Sequence, residues 1–307
     1  MRALLIVLAL TACKPRPDAR LPLLAPSPMP ETLPDPLLDW LVESRGAPLA
    51  REALLRAFDD KWRRDHDAVR IYGWSRAIVV LPEDESPIYS RVGVAMRLVT
   101  ASGDDELRLA GAPELTRFRD EVAARLRAAG AADVDTPRSP DQGAADCKRL
   151  AALFTANGTE VQLRVIAPDA HPFPGARVGE VLRELGLAAG DDGQIHFDGF
   201  TAGTHSPPGR LDAATLGGKV QLADLFFEMY VPHVDRPVER FALLRRAAEY
   251  AAQRLDGRLV ARVETFGHAQ SADLPAAEKK VRDTSAALAA GGFPAGAPST
   301  VRLFRLP

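Results

Sequence analysis

Residues 160–187, EVQLRVIAPDAHPFPGARVGEVLRELGL, decide the fold of this chain. Val161, Leu163 and Val165 alternate with more polar residues, which predicts a strand with one buried face. From Pro174 the apolar residues recur every three or four positions, which predicts a helix up to residue 187. A strand is therefore followed closely by a helix, and both must bury an apolar face in the same core.

The residues that follow continue the alternation of strands and helices. Asp235 is a candidate helix cap, with Pro237 in the first turn of a long helix that Gly257 ends. Period-two and period-three-to-four patterns predict strands at 194–197, 224–231, 259–264 and 300–305, and helices at 237–255 and 275–288.

The residues before the Asn157-Gly158 turn follow the same order of elements more faintly. The same patterns predict strands at 37–43, 69–74, 77–81, 92–99 and 132–134, and helices at 48–64, 113–129 and 143–154, although 37–43 fits a helix as well. Helix starts at Pro48 and Pro113 are 65 residues apart, and those at Pro174 and Pro237 are 63 apart. This predicts either a tandem duplication or two unrelated α+β domains.

The first thirteen residues, MRALLIVLALTAC, have the order of a secretory signal: one basic residue, an apolar run and small residues. About ten apolar residues are too few for a membrane span, which needs roughly 20. Leu10-Thr11-Ala12-Cys13 resembles the lipobox of bacterial lipoproteins. That resemblance implies a lipidated Cys13, an anchor in the cell membrane or outer membrane, and folded domains in the periplasm. The alternatives are a misplaced start or the frayed N-terminus of a cytosolic protein.

Eight prolines fall within residues 14–36, a composition that favours extended, unfolded chain. We therefore divide the chain into a signal peptide (1–12), a proline-rich tether (13–36), an N-terminal α+β domain (37–156) and a C-terminal α+β domain (157–307).

Composition and motifs exclude several classes of function. A net charge of −2 provides no basic excess for nucleic acid. His196, Asp198 and His205 lie close in sequence but without the spacing of a metal site, so we interpret them as strand-end and loop residues. Cys147 falls on the apolar side of a predicted helix and is interpreted as a core residue. No nucleophile, nucleotide or metalloenzyme motif is present, so we predict a protein without enzymatic activity, metal or cofactor.

The second half resembles the C-terminal domain of the cell-division protein ZipA. The segments that carry the resemblance are 160–187, GDDGQIHF (190–197), PPGRLD (207–212), LFFEMYVP (225–232) and VERFALLRRAAEYAAQRLDGRLVARVE (238–264). The resemblance extends from 160 to 290 and implies a split β-α-β fold, an antiparallel sheet with helices on one face. It also implies that the uncovered face binds the C-terminal tail peptide of FtsZ.

Alternation along two strands selects the residues of that face. The more polar set should be uncovered, which places Gln162, Arg164, Phe226, Glu228 and Tyr230 in the binding groove, with an Arg164–Glu228 pair across the sheet. Phe226 and Tyr230 are the candidate anchors. The leading hypothesis is thus a membrane-tethered peptide-binding lipoprotein. FtsZ is cytosolic, so an exported chain would use the fold for another partner. The alternative is a structural envelope lipoprotein whose sheet faces pack against each other.

Overall fold

The computed structural model describes residues 19–24, 33–66, 68–75, 77–81, 83–101, 107–169, 171–190 and 192–305. The predicted signal peptide and Cys13 lie outside the described residues. The described chain is α+β with antiparallel sheets, as predicted. Within these residues, no helix is both long enough and apolar enough to cross a membrane.

The first half runs to Asn157 and alternates short strands with helices. Its elements are β1 (Asp39–Arg45), β2 (Leu49–Ala50), α1 (Arg51–Ala57), α2 (Asp60–Asp65), β3 (Val69–Trp74), β4 (Ile78–Leu81), β5 (Ile88–Tyr89), β6 (Arg91–Arg97), β7 (Val99–Ala101), β8 (Leu107–Leu109), α3 (Ala112–Ala128), β9 (Asp133–Asp135) and α4 (Pro140–Asn157).

The second half begins directly after α4. Its elements are β10 (Thr159–Ile166), β11 (Phe173–Pro174), α5 (Gly175–Leu185), β12 (Ile195–Phe197), β13 (Phe200–Gly203), α6 (Ala213–Gly217), β14 (Gln221–Leu222), β15 (Asp224–Tyr230), a 3-10 turn (Val231–His233), α7 (Pro237–Leu255), β16 (Arg258–Thr265), β17 (His268–Ala272), α8 (Leu274–Ala290) and α9 (Pro298–Phe304).

The two main sheets share a central arrangement but differ at both edges, since the second sheet has an additional strand, β17, beyond β16. The first has the order β4-β3-β6-β1-β9 and the second β12-β13-β15-β10-β16-β17. In each, the first strand of the half lies between a later strand and the strand that follows a long helix. The hairpin at the outer edge is reversed. The β3–β4 hairpin pairs with β6 through its first strand, β3, whereas the β12–β13 hairpin pairs with β15 through its second strand, β13. The tandem duplication therefore stays a prediction.

The second sheet buries one face under α7 and α8. Val161, Leu163 and Val165 of β10 are fully buried and belong to the same apolar cluster as Leu225, Phe227 and Met229 of β15. Alternation along each strand sends the intervening residues to the opposite side of the sheet. The apolar pattern of residues 160–187 thus predicts correctly which face the helices cover.

The end of the described chain completes the core of the first half. Leu303 and Phe304 of α9 are buried in the same apolar cluster as Trp40. Arg302 donates from both terminal nitrogens to the Asp39 carboxylate, at 2.9 and 2.8 Å. The strand predicted at 300–305 is wrong: adjacent residues of a half-covered strand point to opposite faces, whereas Leu303 and Phe304 are both buried, as a short helix allows.

Part of the predicted tether is packed rather than extended. Leu21 is buried among the apolar residues of the second half, and its amide donates to the carbonyl of Leu185 at 3.2 Å. The amide of Leu24 donates to Asp198 Oδ2 at 2.8 Å. Residues 19–24 therefore lie against the second half and do not act as a free spacer.

Two helix starts differ from the prediction. The helix predicted at 48–64 is interrupted at Phe58, and a new helix begins where the Asp59 side chain accepts from the amide of Trp62 at 2.8 Å. Asp235 does not cap α7; its carboxylate accepts from the Arg240 guanidinium at 2.6 Å, and Arg236 occupies the cap position. The first boundary is thus set by a helix cap at Asp59, and the second by the Arg240 side chain, which takes the carboxylate of Asp235 away from the capping role.

Candidate functional site

The five residues predicted to line the groove lie on one face of the second sheet, opposite the side covered by α7 and α8. We call the uncovered side, which carries these five residues, the open face. The strand register places Arg164 beside Phe226, Gln162 beside Glu228, and Glu160 beside Tyr230. The structure thus brings all five together, and their role in binding stays a prediction.

The predicted ion pair between Arg164 and Glu228 is wrong. Arg164 donates from Nε and Nη2 to Asp224 Oδ2, at 3.1 and 2.7 Å. Glu228 instead accepts from Gln162 Nε2 at 3.1 Å. Arg164 therefore lies toward the start of β15, and the centre of the open face carries no guanidinium from β10.

Asp224 is the best-connected residue of the open face, and the sequence analysis missed it. Its side chain is only 3% exposed. Besides Arg164, it accepts from His205 Nδ1 at 2.7 Å, the His205 amide at 3.0 Å and Thr204 Oγ1 at 3.0 Å. Burial alone would raise the pKa of Asp224, but the hydrogen bonds from His205 and Arg164 outweigh it and hold that pKa below its usual value. The alternation of residues along β15 already placed Asp224 on this face. No sequence pattern predicted that Thr204 and His205, from a loop, would bind it.

Phe226 is buried, with 8% of its surface exposed. Its ring lies against the His205 ring, with centroids 4.5 Å apart. On β13 it covers Gly203, where an added Cβ would come within 2.4 Å of the ring. Asp224 thus fixes His205, and His205 covers Phe226, so this aromatic presents little surface to a partner.

Tyr230 lies at the opposite end of the open face, next to the end of the described chain. Its ring packs edge-on against His233, at 4.7 Å, and faces Phe304 of α9 at 6.3 Å. Burial, with a contribution from the Glu160 carboxylate, raises the pKa of Tyr230 to about 12. The tyrosine is therefore neutral over the physiological range and forms the border between the open face and α9.

The centre of the open face is acidic and contains an unsatisfied acceptor. Gln162 is 6% exposed, and its Oε1 has no hydrogen-bond partner among the described residues. Rotating the amide would place that oxygen against the Glu228 carboxylate, so the observed orientation is fixed. Burial, together with the neighbouring Glu228 and Glu264 carboxylates, raises the pKa of Glu160. Arg262 donates to Glu264 at 3.0 Å. A buried acceptor without a donor costs free energy, so the centre of this face is not optimised for the stability of the isolated chain.

The other candidates of the sequence analysis have structural roles. His205 binds Asp224, His196 lies 2.6 Å from Asp192, and Asp198 accepts from Arg240. No group of three or more metal-ligating side chains occurs in the described part of the chain. Cys147 is fully buried, as predicted, and its Sγ donates to the carbonyl of Leu98 at 3.0 Å. Burial raises the pKa of its thiol to about 11.

Comparison with known proteins bears on the second half of the chain. No curated protein matches the chain. Residues 160–271 match the sequence model of a family described as ZipA, C-terminal FtsZ-binding domain. These residues include the six strands of the second sheet except for Thr159 at its start and Ala272 at its end, and all five predicted groove residues. The part of the chain that carries the open face is therefore similar to the C-terminal FtsZ-binding domain of ZipA.

Proposed function

We propose that this chain is a non-enzymatic, membrane-tethered protein, linked to cell division or the cell envelope, that holds an extended peptide on its open face. The observation that supports the proposal is the sheet itself: helices cover one side, while the other side lies within the region similar to an FtsZ-binding domain. A sheet face without a covering layer is a common docking surface for protein partners.

The chemistry of the open face supports a polar partner segment. Glu160, Glu228 and Glu264 lie near Gln162 on this face, while Phe226 and Tyr230 at the two ends are largely covered. A peptide with backbone or basic side-chain N–H groups would pair with these carboxylates. A purely apolar tail would leave them unpaired, which costs free energy. We therefore expect a partner tail with donor groups at the centre of the bound segment.

The contacts between the two halves favour this function over a purely structural envelope protein. The structural alternative requires the two sheets to bury their uncovered faces against each other. In the described residues the halves meet mainly through α4, which packs on α8 and on β16, and through α9. These contacts leave the centre of the open face available to a partner.

The anchor is the second component of the proposal. Lipidation of Cys13 would hold the chain at a membrane and, after export, would separate it from cytosolic FtsZ. Incorporation of labelled palmitate by the full chain, and its loss in Cys13→Ser, would support the anchor. An unlipidated, cytosolic protein would contradict it and make FtsZ itself the natural partner.

Binding is tested with the full chain and a fluorescent peptide of the FtsZ C-terminal tail, read by anisotropy. We expect saturable binding that weakens about tenfold in Gln162→Ala and in Glu228→Ala, since each removes one polar partner from the buried centre. Glu249→Ala, an exposed glutamate of α7 paired with Arg245, is the matched control and should not change binding. Absence of binding would exclude the FtsZ tail as the partner, and equal losses in all three variants would contradict the assignment of the face.

A further inference from the structure

The first sheet carries a cleft that the proposed peptide-binding function does not use. It has a volume of about 590 Å³, within the usual range for small-molecule sites. β3, β6 and α9 contribute its walls, and Val69, Ala95 and Met96 give it apolar surface. Four arginines also line it, Arg70, Arg97, Arg108 and Arg302, together with the carboxylates of Asp39, Asp65 and Glu114. Arg108 donates to Glu114 at 3.0 Å. None of its lining residues comes from the second sheet.

The carboxylate directly across the strands from Arg97 is already engaged by another arginine. In the strand register Asp39 lies directly across from Arg97. The Asp39 carboxylate is 2% exposed, and both of its oxygens accept from Arg302. It also accepts from the amide of Asp35 at 2.9 Å. The charge of Asp39 is thus largely neutralised by Arg302 of α9.

Arg97 therefore has no salt bridge to a described carboxylate. Its guanidinium donates to the backbone carbonyl of Arg302. Burial and the like charge of Arg302 lower the pKa of Arg97, although the nearby Asp39 carboxylate acts in the opposite direction. A half-buried guanidinium without a salt-bridge partner is stabilised when an anion pairs with it.

We propose that this cleft binds a small organic anion, with its carboxylate or phosphate group on Arg97 and its apolar body along Val69, Ala95 and Met96. The fork of the guanidinium suits a planar or tetrahedral oxyanion, and the adjoining apolar surface suits a short hydrocarbon chain. Arg302 lies on α9 and, like Asp39, lines this cleft. The bound anion therefore also contacts the helix that completes the core of the first half.

The test uses calorimetric titration of the full chain with acetate, hexanoate and hexyl phosphate at constant ionic strength. Hexanoate should bind about tenfold or more tightly than acetate, because its methylenes leave water. Comparison of hexanoate with hexyl phosphate identifies the preferred head group. Failure of both six-carbon anions to bind, or equal affinity for acetate and hexanoate, would overturn the proposal.

Variants locate the site. Arg97→Gln should weaken hexanoate binding about tenfold or more, and Arg97→Lys, which keeps the charge, should lie between it and the unaltered chain. Arg91→Gln is the matched control: Arg91 is on the same strand but outside the cleft, paired with Glu43 at 2.7 Å. Each variant should keep a cooperative melting transition without ligand, which shows that it folds. Equal losses in Arg91→Gln and Arg97→Gln would contradict the site.

Discussion

Asp224→Asn tests whether one buried carboxylate organises the open face. The substitution keeps the shape of the side chain but removes its charge, and it turns an amide N–H toward Arg164 or His205. Both partners are partly exposed, with 32% and 47% of their side chains accessible, so each lost charge-assisted bond is assigned the lower end of the usual range, about 1.5 kcal/mol. The free energy of unfolding should therefore fall by about 3 kcal/mol.

Thermal and urea denaturation measure this change. For a two-state chain of about 300 residues, about 3 kcal/mol corresponds to a drop in melting temperature of roughly 5 °C. The second sheet supplies a matched control, because Asp192 and His196 form an aspartate–histidine pair of nearly the same length, 2.6 Å, with more than half of each side chain exposed. Asp192→Asn should leave the melting temperature unchanged. Equal shifts in the two variants would refute the reasoning from burial.

The dependence of the unfolding free energy on pH in the acid range provides a second measurement on the same variant. The pKa of Asp224 is lower in the folded chain than its unfolded value of about 3.9, so the folded state binds fewer protons there. Its stabilising contribution is complete above about pH 3.9 and is lost as the pH falls through the folded pKa. The difference in unfolding free energy between the unaltered chain and Asp224→Asn should shrink below about pH 3.9. A difference that does not change with acidity would contradict the assigned charge state.

Three further predictions concern packing. Gly203→Ala places a Cβ within 2.4 Å of the Phe226 ring and should lower the unfolding free energy by about 1 to 3 kcal/mol in urea titrations; an unchanged midpoint would contradict the close contact. Phe304→Ala removes a buried ring stacked 5.1 Å from Phe154 and should cost about 3 kcal/mol in the same assay, whereas Val238→Ala, on the exposed side of α7, should cost little. The Cys147 thiol, with a pKa of about 11, should not react with a disulfide reagent at pH 8 until urea is added.

Alternation and helical periodicity predicted the second half well because each element there buries one face in a single core. Val161, Leu163 and Val165 alternate with open-face residues, and this alone assigned the covered side of β10. The long helix from Pro237 to Leu255 has the predicted bounds. Hydrophobic periodicity depends only on residues close together in sequence. These elements follow it because no contact with a distant residue changes their structure.

The missed features depend on contacts between residues distant in sequence. His205 reaches Asp224 from a loop, and this contact decides both the direction of Arg164 and the burial of Phe226. α9 is helical because Leu303 and Phe304 fill the core of the first half, which the residues around them do not reveal. β13 follows β12 after a turn at Asp198 and Gly199, both with positive φ, and was too short for a periodic pattern.

The placement of α9 has a consequence for the order in which the chain folds during synthesis. Residues around Trp40 leave the ribosome long before Leu303 and Phe304, which occupy the same apolar cluster. The first half therefore exposes an incomplete core throughout the synthesis of the second half, and the second half can fold first although it is made later. A chaperone that binds apolar surface would be engaged by the N-terminal sheet until α9 emerges. We therefore expect the first half to complete its core last, once α9 has been made.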